Sequence, residues 1–192
     1  MSGQITNILL VGVGGQGILL ASEILSETFM LAGYDVKKSE IHGMSQRGGS
    51  VASHVRYGRE VFSPIVPEGE GDILFGFELM ETYRSLPLLK KGGTVIANDL
   101  RISPPSVLLG QETYPDRLAE KIIAQFPDFL LVDGQKLALE AGNSRAANTV
   151  LLGAVSKRLD IAEEYWLKAL GKMVPVKALE INLKAFHLGR GL

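Results

Sequence analysis

The stretch Asn7–Gly17, NILLVGVGGQG, constrains what this chain can fold into more than any other. Its apolar core, Ile8–Val11, is long enough for a buried strand, and the glycines that follow turn the backbone instead of extending it. From Ile18 to Ala32 the residues Ile18, Leu19, Ala21, Ile24, Leu25, Thr28 and Phe29 recur at close to 3.6-residue spacing, and Gly33 supplies a helix stop. Strand, glycine turn and helix in that order open a βαβ unit, with Ile8–Val11 as the first strand, central in the sheet.

The pattern continues along the chain. Tyr34–Glu40, Asp72–Phe77, Thr94–Asn98 and Phe129–Val132 read as strands, and Gly92-Gly93 as a tight return. Helical spacing covers about Glu78 to Leu89, with a kink at Pro87, and then Pro115–Phe126, Gln135–Ala141, Asn148–Arg158, Ala162–Leu170 and Val176–His187. Ser103–Val107, with Pro104-Pro105, reads as a turn at an edge. Ser50–Arg56 alternates in polarity and Glu60–Ser63 follows across Gly58-Arg59, which predicts an antiparallel β-hairpin near 50–64. The fold expected is α/β: a three-layer Rossmann-like sheet, mostly parallel, with that inserted hairpin and a helical C-terminal third. No repeat or linker divides it, so residues 1–192 are read as a single domain.

Composition removes several function classes. Twenty Lys and Arg against twenty-one Asp and Glu leave a net charge of −1, which gives no global attraction to nucleic acid or an anionic membrane. No apolar run reaches the roughly 18 residues of a membrane span, and Met1–Thr6 has no secretory character, so a cytoplasmic location is expected. The chain has no cysteine, which excludes disulfides, a thiol nucleophile and the usual ligation of iron–sulfur clusters. His42, His54 and His187 lack metal-ligand spacing, so no metal site is expected in this chain.

Gly12, Gly14 and Gly17 fit GxGxxG in the context that gives the pattern meaning, and with Gly15 and Gln16 they form the first candidate cofactor-binding group. Such a turn brings backbone and helix N-terminus close to a phosphate. The acidic residue that would hold a ribose hydroxyl belongs about 20 residues past the last glycine. Lys37 and Lys38 stand there, and Glu40 is a poor substitute. Three readings of the turn stay open: pure architecture, a dinucleotide, or a phosphate or pantetheine portion of another cofactor.

The loop His42–Ser50, HGMSQRGGS, supplies the second group: Ser45, Gln46, Arg47, Gly48 and Gly49. Its glycines expose backbone N–H groups and Arg47 offers a planar fork to an anion. A solvated surface loop is the other reading. Ser39, Ser45 and Ser50 lie near His42, but no carboxylate is placed to orient the imidazole, which argues against a serine hydrolase. His54, within an alternating strand, reads as a packed or hydrogen-bonded histidine. Asn143–Asn148, NSRAAN, reads as a helix cap with Arg145 free to meet an anion. Tyr165 and Trp166 pack a helix face or mark a partner surface, the latter being preferred.

GVGGQG, then EIHGMSQRGGSVASHVRYG from Glu40, then Phe62-Ser63-Pro64 and GDILFGFE at Gly71–Glu78, resemble the gamma-type subunit of 2-oxoacid:ferredoxin oxidoreductases in order and spacing. Within that family HGMSQRGGS is most similar to the beta subunit of the indolepyruvate branch; pyruvate and 2-oxoglutarate relatives more often carry a Tyr-Gly-(polar)-Glu-x-Arg-Gly-Gly version. The resemblance implies a complex that decarboxylates a 2-oxoacid on thiamine diphosphate with Mg, reduces ferredoxin through iron–sulfur clusters and releases an acyl-CoA. It also implies that thiamine and clusters belong to partner subunits, with Gly14–Gly17 and Arg47–Gly49 on the coenzyme A side. Asp133-Gly134-Gln135 departs from a thiamine-type metal motif. The competing classes are a self-sufficient NAD(P)- or flavin-dependent Rossmann oxidoreductase, and a small-molecule sensor or scaffold of the same fold.

Overall fold

The computed structural model describes residues 5–42 and 49–192, His42 in its backbone alone. Six strands, β1 Thr6–Val13, β2 Asp35–His42, β3 Ser50–Gly58, β4 Gly71–Gly76, β5 Leu89–Asn98 and β6 Phe129–Val132, form one sheet in the order β2-β3-β1-β4-β5-β6. β1, β4, β5 and β6 pair in parallel, while β3 runs antiparallel to both β1 and β2. The helices are α1 Ile18–Leu31, α2 Leu79–Arg84, α3 Pro105–Leu108, α4 Leu118–Gln125, α5 Gly134–Ala141, α6 Ala147–Ser156, α7 Glu163–Met173 and α8 Val176–Arg190.

Strand periodicity sorts the core into two layers. Ile8, Leu10, Val55, Ile73, Phe75 and Ile96 face α1 and the helices α5 to α8. Leu9, Val11, Leu74, Val95 and Ala97 face α2 and α4. With both faces covered, the central strands read as unbroken apolar runs instead of alternating ones. The mostly parallel three-layer fold expected from the sequence, with its helical C-terminal third, is the fold observed.

Four local expectations about the elements need correction. The antiparallel strand lies where the sequence places it, but its hairpin partner is β2, not Glu60–Ser63. Pro64 and Pro67 have no N–H to give a ladder, and residues 59–66 instead form a strap tied by side chains. Val61 N–H donates to Asp35 at 2.8 Å, Arg56 Nη1 donates to the Ser63 and Ile65 carbonyls at 3.0 Å, and Val66 N–H donates to His54 Nδ1 at 3.1 Å. Lys37 first, then Val61 N–H, holds the Asp35 carboxyl below its usual range.

Gly92-Gly93 is not a return but a bulge inside β5, where Gly92 has φ +77° and the pairing with β4 shifts register. Ser103–Val107 is not an edge, since Pro105–Leu108 forms α3; and the helix from Glu78 ends at Arg84, with Pro87 opening a 3₁₀ turn at Leu86–Leu88.

The C-terminal helices pack unusually tightly. Thr149–Ser156 of α6 are all buried, and a Cβ placed on Gly153 or Gly189 would overlap the carbonyl oxygen of Phe186 or Val150 across the α6–α8 crossing. Trp166 is fully buried, edge-on to Phe29 at 6.1 Å and beside Phe186 at 5.9 Å, so it is core and not the partner surface preferred from sequence. Tyr165 is half-buried against the same cluster.

Candidate functional site

In an open α/β sheet the ligand edge is the one where parallel strands end and the chain order reverses. Here β1 leads through α1 to one side of the sheet and β4 leads through α2 to the other, so that point lies between the carboxyl ends of β1 and β4. The segment joining β2 to β3 leaves and re-enters the sheet at the same edge. Gly14 N–H donates to the Gly49 carbonyl at 2.8 Å, which joins the glycine turn to the end of that segment. Gly12, Gly14, Gly15, Gln16, Gly17 and Gly49 are therefore brought together. Ser45, Gln46, Arg47 and Gly48, like the His42 side chain, lie outside the described residues.

Gln16 decides what the turn can do. Its Oε1 accepts from Val13 N–H at 2.6 Å and its Nε2 donates to the Phe77 carbonyl at 2.9 Å, so the side chain bridges the ends of β1 and β4 across the crevice. A Cβ on Gly12 would come within 2.6 Å of Gln16 Oε1 and 2.8 Å of Phe77 Cβ. Gly12 thus makes room for an internal bridge. Gly17, at φ +76°, lies against Asn148, whose Nδ2 donates to the Gln16 carbonyl at 2.5 Å. Asn98 extends the belt: its Oδ1 accepts from Gly134 N–H at 3.1 Å and its Nδ2 reaches Phe77 O at 3.5 Å. Side-chain amides thereby lock β1, β4, β5, α5 and α6 together at this edge.

Beside the belt, Glu78 is fully buried at the start of α2. Its carboxylate accepts from Glu81 N–H at 2.9 Å, from Ile102 N–H at 3.1 Å and from the Tyr114 hydroxyl. Burial first, then the bonded carboxylate, pushes the Tyr114 phenol well above its ordinary value, so it stays a proton donor. Glu78 thus clips both ends of the 102–114 excursion, which carries the exposed Leu108 and Leu109. His54 is buried, and desolvation followed by the Arg56 charge holds its imidazole below the ordinary value. It is the packed, hydrogen-bonded histidine expected.

The residues fit a dinucleotide poorly. The inserted β3 moves β2 to two strand spacings from β1, about 10 Å, where an ordinary dinucleotide fold has one. Lys37 is paired with Asp35 at 2.6 Å, and Lys38 with Glu40 at 2.8 Å. That second pair also takes up the carboxylate nearest Ser39. Nor does Asp133 suit a thiamine-bound metal, because it caps α5 by accepting from Lys136 N–H at 2.9 Å. Among the described residues no His, Asp and Glu group could hold a metal ion, and no helix is long and apolar enough to cross a membrane. Sequence reasoning missed Glu78, Asn98 and Asn148. Glu78 directly follows the strand signal DILFGF, Asn98 is the last residue of the strand signal TVIAN, and Asn148 reads from sequence only as part of a cap.

The family model for pyruvate ferredoxin/flavodoxin oxidoreductase matches residues 7–192. The chain belongs to this family. Over 188 residues it is 43% identical to the indolepyruvate oxidoreductase subunit IorB of Thermococcus kodakarensis, covering 95% of this chain and 93% of that one. The gamma subunit of a keto/oxoacid ferredoxin oxidoreductase from Geobacter sulfurreducens superposes with a TM-score of 0.69 at 25% identity, over 96% of this chain and 95% of the other. The 2-oxoglutarate:ferredoxin oxidoreductase of Magnetococcus marinus, whose structure holds 2-oxoglutarate, coenzyme A and succinyl-CoA, shares the fold, with a TM-score of 0.73 at 19% identity. It matches 99% of this chain but only 31% of its own. The resemblance carried by GVGGQG, HGMSQRGGS and GDILFGFE is borne out, and the Gly14–Gly49 contact shows two of those segments meeting at one edge of the family fold.

Proposed function

We propose that this chain is the gamma-type subunit, of the indolepyruvate branch, of a 2-oxoacid:ferredoxin oxidoreductase. The observation that carries the reading is the 43% identity to an IorB subunit over nearly the whole of both chains. Decarboxylation on thiamine diphosphate and Mg, electron transfer through iron–sulfur clusters and acyl transfer to coenzyme A are chemistry that partner subunits supply. A chain without cysteine offers no thiolates to a cluster.

What this chain contributes is position. The Gln16–Phe77–Asn98–Gly134 belt fixes the carboxyl edge, the Gly14–Gly49 bond anchors the return of the HGMSQRGGS loop onto it, and Arg47 and the loop N–H groups offer donors to an anionic part of coenzyme A or substrate held by the partner. The residues assigned to this role are Gly12, Gly14, Gly15, Gln16 and Gly17 of the turn, and Ser45, Gln46, Arg47, Gly48 and Gly49 of the loop. No residue of the chain forms a covalent bond to substrate, and the isolated subunit is inactive.

The NAD(P)- or flavin-dependent alternative is disfavoured by Gln16 across the crevice and by the displaced β2. The decisive experiment co-expresses the chain with its thiamine-carrying partner. An aryl pyruvate, coenzyme A and ferredoxin should then give acyl-CoA and reduced ferredoxin. Equal turnover by the partner without this chain would refute the reading, as would tight NAD, NADP or FAD binding by the chain alone.

A further inference from the structure

Two adjoining hollows lie along the start of α8, one of about 370 Å³ against the turn at 143–146 and one of about 180 Å³ against α1 and α6, and they share Arg145, Pro175, Ala178 and Asn182. Their apolar lining comes from Ala21, Ile24, Leu152, Val174 and Ile181, and no carboxylate lines either. Arg145 and Lys177 stand on the rim. Neither forms an ion pair among the described residues, so both charges are available to an incoming carboxylate. α8 starts after Pro175 without a side-chain cap, so the positive end of a 15-residue helix adds to the same sign of field. The hollows are thus apolar inside and cationic at the rim.

The apolar surface does not stop at the hollows. Leu20 lines one of them and is 42% exposed, Leu19 beside it is 44% exposed, and Val176 at the start of α8 is 89% exposed. A small ligand would fill the hollows and leave these lips in water; a stretch of polypeptide would cover both. The groove also adjoins the carboxyl edge, because Asn148 in its wall is the residue that holds the Gln16 carbonyl.

From the unpaired cations, the apolar floor and the exposed lips, we infer that the groove along the start of α8 docks a segment of the thiamine-carrying partner subunit in which apolar side chains are flanked by Asp or Glu. The inference rests on the proposed subunit role and adds to it the surface and the chemistry of the contact. Seating that segment against Asn148 sets the partner beside the glycine turn. Rim ion pairs act mainly on association rate and salt dependence, while the apolar side chains hold the complex.

The test measures affinity of the chain for its separately purified partner subunit at low and high salt. Arg145→Glu/Lys177→Glu should bind about tenfold more weakly than wild type at low salt and lose most of the salt dependence. Lys121→Glu/Lys157→Glu, with the same change in net charge on other surfaces, should bind as wild type. Leu20→Asn should weaken binding at both salt concentrations. Unfolding curves for each variant separate lost contact from lost fold. If wild type binds and both groove variants bind equally well, the groove is not the docking surface, although the subunit reading stands. If wild type does not bind the partner at all, that reading fails and the inference with it.

Discussion

Gln16→Ala tests the internal-bridge account of the glycine turn. The substitution takes the acceptor from Val13 N–H and one donor from the Phe77 carbonyl. Val13 is 8% exposed and Phe77 1%, so neither backbone group gains free access to solvent. A buried donor left without a partner costs about 1–3 kcal/mol. The Phe77 carbonyl keeps the Asn98 amide at 3.5 Å, so its loss is the smaller one. Gln16 itself is only half-buried, and water entering behind the shortened side chain offsets part of the sum. The expected destabilisation is about 2 kcal/mol, read as a lower urea midpoint with an unchanged denaturant slope. Gln16→Glu adds a check on direction. One carboxylate oxygen still accepts from Val13 N–H, but the other faces a carbonyl unless it carries a proton. The native state therefore favours the protonated acid and raises its pKa above the unfolded value. Stability held near pH 4 is then lost as pH rises through the raised native value. A change below about 0.5 kcal/mol for Gln16→Ala, or a Gln16→Glu variant relatively more stable at pH 8 than at pH 4, would refute the bridge.

Tyr114→Phe removes a donor from the buried Glu78 carboxylate; a loss of about 2 kcal/mol is expected, with faster amide hydrogen exchange across residues 102–114, and unchanged protection there would show that the clip is unimportant. Gly189→Ala forces a methyl group into the Val150 carbonyl of α6; a cost of about 3 kcal/mol is expected in thermal or urea unfolding, and a near-neutral result would place the two helices further apart. His54 is held neutral by burial, so below about pH 6.5 the unfolded chain takes up a proton that the native state resists. Wild type should therefore lose stability relative to His54→Gln as pH falls from 7 to 5, and parallel pH profiles for the two proteins would contradict this.

Much of the fold was legible because β1, β4 and α1 carry their burial in local patterns: unbroken apolar runs for strands covered on both faces, and a 3.6-residue stripe ended by Gly33. The strap at 59–66 was not legible, since its ties are single side-chain bonds from Asp35, His54 and Arg56, and alternation in Glu60–Ser63 imitates a strand. Gly92-Gly93 signals a turn equally well whether the chain reverses or bulges. Trp166 was misjudged for a related reason: helical spacing shows that one face of α7 is apolar, but not whether a partner or the chain's own Phe29 and Phe186 cover it. At the candidate site the glycine spacing was visible at once, yet its meaning depended on Gln16, whose bond to Phe77 spans 61 residues of sequence. The Asn148 bond to Gln16 spans 132.

Insertion of β3 changes what this edge of the fold is for. In a dinucleotide domain the strand after the first crossover lies next to β1 and brings the ribose-binding acid to the glycine turn. Here β3 takes that place, pairs Ser50 with Val13, and delivers the Gly49 carbonyl to Gly14 N–H. The turn therefore meets the chain's own loop where a cofactor's ribose would lie, and Gln16 closes the neighbouring crevice from within. An edge whose polar groups are largely bonded to one another makes a stiff platform but a poor pocket. The proposed role calls for that stiffness, because a loop that holds donors in register with chemistry on another chain loses rate through small misplacements. In the role proposed for this chain, lost internal ligand binding and gained cross-subunit positioning are two consequences of one inserted strand.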